Sequence, residues 1–190
     1  MPLRVPQKVG TPTILAKKYG KALISQLFTK PENPEETIEF CLFDWPVTPS
    51  IVLPVTLEDE VVAIRQFRYG ANKAIIEIPG GNPKPGQTPE DLALAELEDE
   101  TGFQAGGLVR LAPRVFFEPA FNVAPYHPFL AVGCTLTGQQ KLDEEEYLEV
   151  LRVPLAKWIE MIQLGEVEDS KTIAMTLLAL PHLGVELKFP

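Results

Sequence analysis

Apolar positions fall into short alternating runs through the first half of the chain and into helical stripes later. Residues 37–43 alternate, with Ile38, Phe40 and Leu42 on one face, which predicts a strand. Residues 51–55 (IVLPV) and 61–67 (VVAIRQF) predict two more, and the turn-like Glu58-Asp59-Glu60 between them makes the pair a hairpin. Residues 74–78 (AIIEI) form a short strand leading into a turn rich in glycine and proline. The period then changes. Over 88–103, TPEDLALAELEDETGF, Thr88 suits a helix N-cap and Pro89 the first helical position. Glu90 and Asp91 favour the positive helix start, and Gly102 suits the left-handed stop. Ala93, Leu94 and Leu97 are expected to face inward. Strands are expected at 108–111, 114–117, 128–134 and 148–153, with a charged loop at 138–146. Leu155, Ile159 and Ile162 mark a helix closed by Gly165. Ser170 is expected to cap a last helix with Ile173, Ala174, Leu177 and Leu178 inward. Residues 14–27 fit either a strand or a short helix. Many strands around three helices, without regular alternation, predict an α+β sandwich.

Composition narrows the function more than the fold. With 190 residues and 45% hydrophobic content the chain can build one sizeable core. A formal net charge of −9 opposes binding to nucleic acid, whose phosphate backbone calls for Lys and Arg. It disfavours an anionic membrane surface for the same reason. No apolar run approaches the length of a membrane span, and the first residues, MPLRVPQKVG, carry no apolar signal core. A soluble cytoplasmic protein without nucleic-acid or membrane partners is expected. Cys41 and Cys134 are far apart and lack metal-ligand spacing. They are expected as two buried thiols, with one disulfide as the alternative.

The candidate chemistry lies on the acidic helix. Glu96, Asp99 and Glu100 stand at i, i+3 and i+4 and so share one edge. Like charges at these spacings repel by about 0.2–0.5 kcal/mol per pair on a bare helix. A solvated face tolerates that repulsion; a divalent cation would reverse it.

The glycine turn and helix together resemble the Nudix box of the Nudix hydrolase superfamily. The matching residues are Gly81, Gln87 and then Ala95-Glu96-Leu97-Glu98-Asp99-Glu100-Thr101-Gly102-Phe103, with the family spacing kept throughout. Three positions depart from the pattern: Gln87 and Asp99 replace glutamates, and Ala95 replaces an arginine. Beyond the box, Arg65-Gln66-Phe67-Arg68-Tyr69, Glu77-Ile78-Pro79-Gly80-Gly81 and Pro119 resemble segments of the ADP-ribose pyrophosphatase branch.

This resemblance implies an α/β/α sandwich with a mixed sheet and a small N-terminal β region. The domain would run over 37–180, after an undetermined segment 1–36 and before a tail, 181–190. The strands within 37–70 would serve a homodimer. The implied activity is metal-dependent hydrolysis of ADP-ribose or a related nucleoside diphosphate sugar to a nucleoside monophosphate and a sugar phosphate. Mg²⁺ or Mn²⁺ would be held by Glu96, Asp99 and Glu100 with the Gly80 carbonyl. Glu96 and Glu100 would also count as catalytic, with Glu146 as the base. Arg65, Arg68, Glu77 and Phe121 would bind substrate. Gln87 and Ala95 leave a second reading open, a nucleotide-binding protein of this fold with weak or no catalysis.

Overall fold

The valine- and isoleucine-rich runs become the middle of a mixed sheet, and the less patterned N-terminal stretch becomes a separate three-stranded sheet. The computed structural model describes residues 3–142 and 147–186. The chain divides into two units, Met1–Thr48 with Phe116–Pro125, and Pro49–Val115 with Tyr126–Pro190.

In the first unit β1 (Lys8–Lys18), β2 (Lys21–Thr29) and β3 (Thr37–Asp44) form an antiparallel meander. Tyr19 and Gly20 both have positive φ, 50° and 76°. That pairing is the two-residue turn that matches strand twist, so residues 14–27 belong to a hairpin rather than a helix. The strand was hard to read because β1 is exposed along nearly its whole length, which removes the selection for alternation. By register, Ile14, Ile24 and Leu42 lie on one face, which Ile38 and Phe40 extend. Ile14 is 58% exposed and Phe40 46%. Cys41 is exposed and unpaired, contrary to the expectation of a buried thiol. Phe121 stacks on Phe43 at 6.2 Å between ring centroids, and its carbonyl accepts from the Phe43 N–H at 2.8 Å. Phe117 stacks on Trp45.

The second unit holds β4 (Ser50–Thr56), β5 (Glu60–Arg68), β6 (Lys73–Glu77), β7 (Gly80–Gly81) and α1 (Pro89–Thr101). It continues through β8 (Phe103–Gln104), β9 (Gly107–Arg110), β10 (Val115–Phe116), β11 (Pro125–Leu136), β12 (Leu148–Pro154), α2 (Leu155–Gln163) and α3 (Ser170–Ala179). Its central order is β11-β4-β5-β12. β11 and β4 run parallel, while the β4–β5 and β5–β12 pairs are antiparallel. The sheet is therefore mixed, and with three α-helices among the described residues the α+β class expected from the sequence is what the chain adopts.

Along β4, the first half of β5 and the middle of β11 both faces of the sheet are buried. Val52, Val62, Phe129 and Ala131 pack with Ala93 and Leu97 of α1. The alternate residues Leu53, Val61, Ala63 and Leu130 are fully buried on the other face, and α2 contacts β5 and β12. Each such valine, leucine or phenylalanine side chain stabilises the fold by about 1.5–3 kcal/mol relative to exposure.

Two helical faces differ from expectation. In α1, Leu92 is buried while Leu94 is 40% exposed, so the inward residues are Leu92, Ala93, Leu97, Glu100 and Thr101. In α3 the inward residues are Thr172, Met175, Thr176 and Ala179, and Leu177 and Leu178 are exposed. The buried threonines are tolerated because their hydroxyls are engaged. Trp158 Nε1 donates to Thr176 Oγ1 at 3.0 Å, and Thr172 Oγ1 donates to Asp169 at 2.8 Å. The cap is Asp169 rather than Ser170, its carboxylate accepting from the Thr172 N–H at 2.9 Å.

Candidate active site

The acidic helix begins and ends as its sequence demands. Thr88 Oγ1 accepts from the Asp91 N–H at 3.1 Å, and Gly102 stops the helix at φ 76°. A Cβ on Gly102 would also lie 2.7 Å from the Gly138 carbonyl oxygen, so backbone conformation and packing both require glycine there.

The last turn of α1 has no basic residue of its own, yet carries Glu98, Asp99 and Glu100, with Glu96 just before it, toward the negative end of the helix. A crossing loop compensates. Thr137 and Gly138 N–H groups donate to the Gly102 carbonyl, the Lys141 N–H to Asp99 O at 2.8 Å, and Gln140 Nε2 to Glu100 O at 2.7 Å. These bonds satisfy carbonyls that a helix end leaves open. Lys141 Nζ lies 2.9 Å from Glu98 Oε1. That bond, with a second from Gln104, holds the Glu98 carboxyl below the usual carboxylate range.

On its other edge the helix meets β7. The Gly80 N–H donates to Glu100 Oε2 at 3.0 Å, and the Glu100 side chain is buried. Gly81 stands against Glu96 so closely that a Cβ there would run into the Glu96 carboxylate. Gln87, where the family pattern has a glutamate, braces the turn: its Oε1 accepts from the Lys84 N–H at 3.0 Å.

These elements enclose a cavity of about 300 Å³. Glu96, Asp99 and Glu100 line it together with Gly80, Gly81, Gln66, Arg68, Asn82, Lys84 and Lys141. The structure thus brings together the three helix carboxylates, Gly80 and Arg68. It sets Arg65 apart, because strand period two places residues 66 and 68 on one side and 65 on the other. Arg65 instead faces β12, its Nη1 3.0 Å from Glu149 Oε2. Glu77 is buried to 3% exposure, engaged by Arg68 Nε at 2.8 Å and by Arg68 Nη2. Phe121 belongs to the first unit. Glu146 lies outside the described residues. Gln66, Lys84, Gln140 and Lys141 escaped sequence reasoning, although the Gln66–Arg68 alternation was a usable signal. A larger cavity of about 420 Å³ in the first unit, lined by Phe28, Phe40, Leu42 and Val123 among others, carries no carboxylate.

The donor set suits a hard divalent cation, since it consists of carboxylate and amide oxygens. Gln66 Oε1 is buried at the cavity and has no hydrogen-bond partner among the described residues, an acceptor open to a ligand that enters. Among the described residues, no three acidic, imidazole or thiolate groups close into a ready-made cage.

A glycine strand set against an acidic helix, on a mixed sheet of this topology, is the arrangement of a NUDIX domain. The family model for that domain matches residues 46–176, and the chain belongs to the family. The chain is 38% identical over 122 residues to an ADP-ribose pyrophosphatase of Bacillus subtilis (strain 168), spanning 64% of this chain and 65% of that protein. It is 31% identical over 123 residues to a methanol dehydrogenase activator of Bacillus methanolicus, spanning 64% and 66%. The matched region therefore covers just under two thirds of each of these relatives. A crystal structure of an ADP compounds hydrolase shares the fold at a TM-score of 0.82 and 18% identity, covering 97% of both chains. NUDIX hydrolases as a class use divalent metal ions. Among the described residues, no helix is long and apolar enough to cross a membrane.

Proposed function

We propose that this chain hydrolyses the diphosphate linkage of ADP-ribose or a related nucleoside diphosphate sugar. One water is consumed: a new P–O bond forms, the bridging P–O bond breaks, and a nucleoside monophosphate and a sugar phosphate leave. The observation that carries this reading is the meeting of Glu96, Asp99, Glu100 and Arg68 in one 300 Å³ cavity of a NUDIX domain. The similarity to the B. subtilis ADP-ribose pyrophosphatase supports the substrate class.

The reaction is mainly a problem of neutralising phosphate oxygens and positioning a water. Glu96, Asp99 and Glu100, with Gly80, would hold Mg²⁺ or Mn²⁺. When bound, the ion supplies charge neutralisation at the phosphates and a lowered pKa for water. Arg68 keeps Nη1 outside its bonds with Glu77, which leaves that edge of the guanidinium to a phosphate oxygen. Glu146 is assigned as the base by position in sequence. Arg65, committed to Glu149, is given no substrate contact, and Glu77 serves Arg68 instead of substrate.

The test is incubation of purified protein with Mg²⁺ and a panel of nucleoside diphosphate sugars, following nucleoside monophosphate release. Turnover on ADP-ribose is expected. No turnover on any member, together with micromolar nucleotide binding, would overturn the hydrolase reading in favour of a binding protein, the reading that Gln87 and Ala95 motivate.

The working form is proposed to be a homodimer in the cytoplasm. The exposed apolar face of Ile14, Ile38 and Phe40 beside the long edge strand β1 supports the first, and two unpaired cysteines support the second. Sedimentation should give twice the chain mass, and Phe40→Glu should halve it; a wild-type monomer would sink the dimer.

A further inference from the structure

We infer that Lys171 is a positioning residue for substrate phosphate, acting through Glu77 on Arg68; this rests on the hydrolase reading for its substrate. Lys171 occupies the first turn of α3, where the helix dipole disfavours a cation. Its ammonium is nonetheless held there by Asp169, the cap of the same helix, and stands 3.8 Å from Glu77 Oε1. The opposite oxygen, Glu77 Oε2, takes both Nε and Nη2 of Arg68. The two oxygens of one buried carboxylate thus face two different cations. With Arg68 on one oxygen and Lys171 beside the other, the two cations together fix the rotation of this buried carboxylate. Fixing Glu77 fixes Arg68, and Arg68 lines the cavity beside Glu96, Asp99 and Glu100.

The same turn of α3 also anchors the backbone. Thr172 Oγ1 accepts from the Ile78 N–H at 3.2 Å, one residue past Glu77. Two residues further on, Gly80 donates to Glu100. The start of α3 therefore sets both the cationic and the acidic side of the cavity from outside it. Lys171 lies 24% exposed by side chain and does not itself line that cavity, so it touches no substrate.

The experiment is a double-mutant cycle read by calorimetric ADP binding and by steady-state hydrolysis of ADP-ribose. Lys171→Met should weaken ADP binding and raise KM about tenfold, the scale of one misplaced charge-assisted hydrogen bond, with a smaller change in kcat. Lys171→Arg should restore most of the loss. In an Arg68→Ala background, Lys171→Met should have no further effect on either readout. Equal losses in both backgrounds, tracking a fall in melting temperature, would overturn the inference and leave Lys171 as support for α3 alone. A wild-type protein that binds ADP but hydrolyses nothing would refute the hydrolase reading, while the coupling in the binding cycle would still decide this one.

Discussion

Gly81→Ala separates the shape of the acidic site from the stability of the fold. Gly81 does not use the left-handed region, so alanine fits its backbone, and restricting the unfolded chain alone would add about 0.4–1 kcal/mol of stability. The added methyl, however, points at the Glu96 carboxylate, which must retreat by about an ångström to reach ordinary contact. A carboxylate is the free end of a flexible side chain and can yield without disturbing the core. A misplacement of that size near reacting groups costs about a hundredfold in rate. Gly80→Ala is the matched control, because its methyl would meet backbone: Ser50 O at 2.6 Å and Ile51 Cα at 3.0 Å. That clash has no easy exit and should cost about 1–3 kcal/mol of stability. The two variants are compared by thermal unfolding and by ADP-ribose turnover with Mg²⁺. Gly81→Ala should keep or raise the melting temperature while losing about a hundredfold in turnover, and Gly80→Ala should melt lower. Wild-type turnover in Gly81→Ala would refute the placement of Glu96 in the working site, and a melting point as low as that of Gly80→Ala would refute the claim that the carboxylate yields.

Glu100→Gln should lower turnover by about two orders of magnitude, the scale of losing a group that organises developing charge, while its amide oxygen still accepts from Gly80 and folding persists; full activity in a folded variant would exclude Glu100 from the metal set. Tyr126 is 1% exposed, and burial first, then the Asp169 carboxylate, push its phenol up to about 12 from 10.0. The unfolded chain thus loses this proton before the folded one, and stability falls as pH rises between about 10 and 12. A tyrosinate titration should contain a late component near 12 that Tyr126→Phe removes; its persistence in that variant would refute the assignment.

The sequence made the acidic helix legible in detail because both caps, the period and the carboxylate edge are local properties. Residues 88–102 needed no knowledge of the rest of the chain. The hairpin of β4 and β5 was equally plain, since both faces are buried and the turn is polar. What stayed hidden depends on contacts distant in sequence. Lys171 meets Glu77 and Lys141 meets Glu98 only through the fold, and nothing at either lysine distinguishes it from a surface charge. The β1–β2 hairpin was unreadable for another reason: β1 buries almost nothing. In α3, counting leucines misled, because threonines with satisfied hydroxyls took the inner face.

The two cysteines have a practical consequence. Cys134 is 1% exposed and its thiol is pushed by burial up to about 11, so almost no thiolate is present at neutral pH. Cys41 is exposed on β3, on the same side as Ser25 and opposite the face of Ile14, Ile38 and Phe40. A maleimide should therefore attach one label per native chain and two only after unfolding. A spin label at that natural handle leaves the apolar face untouched, and the distance between two such labels would measure directly how one copy lies against another.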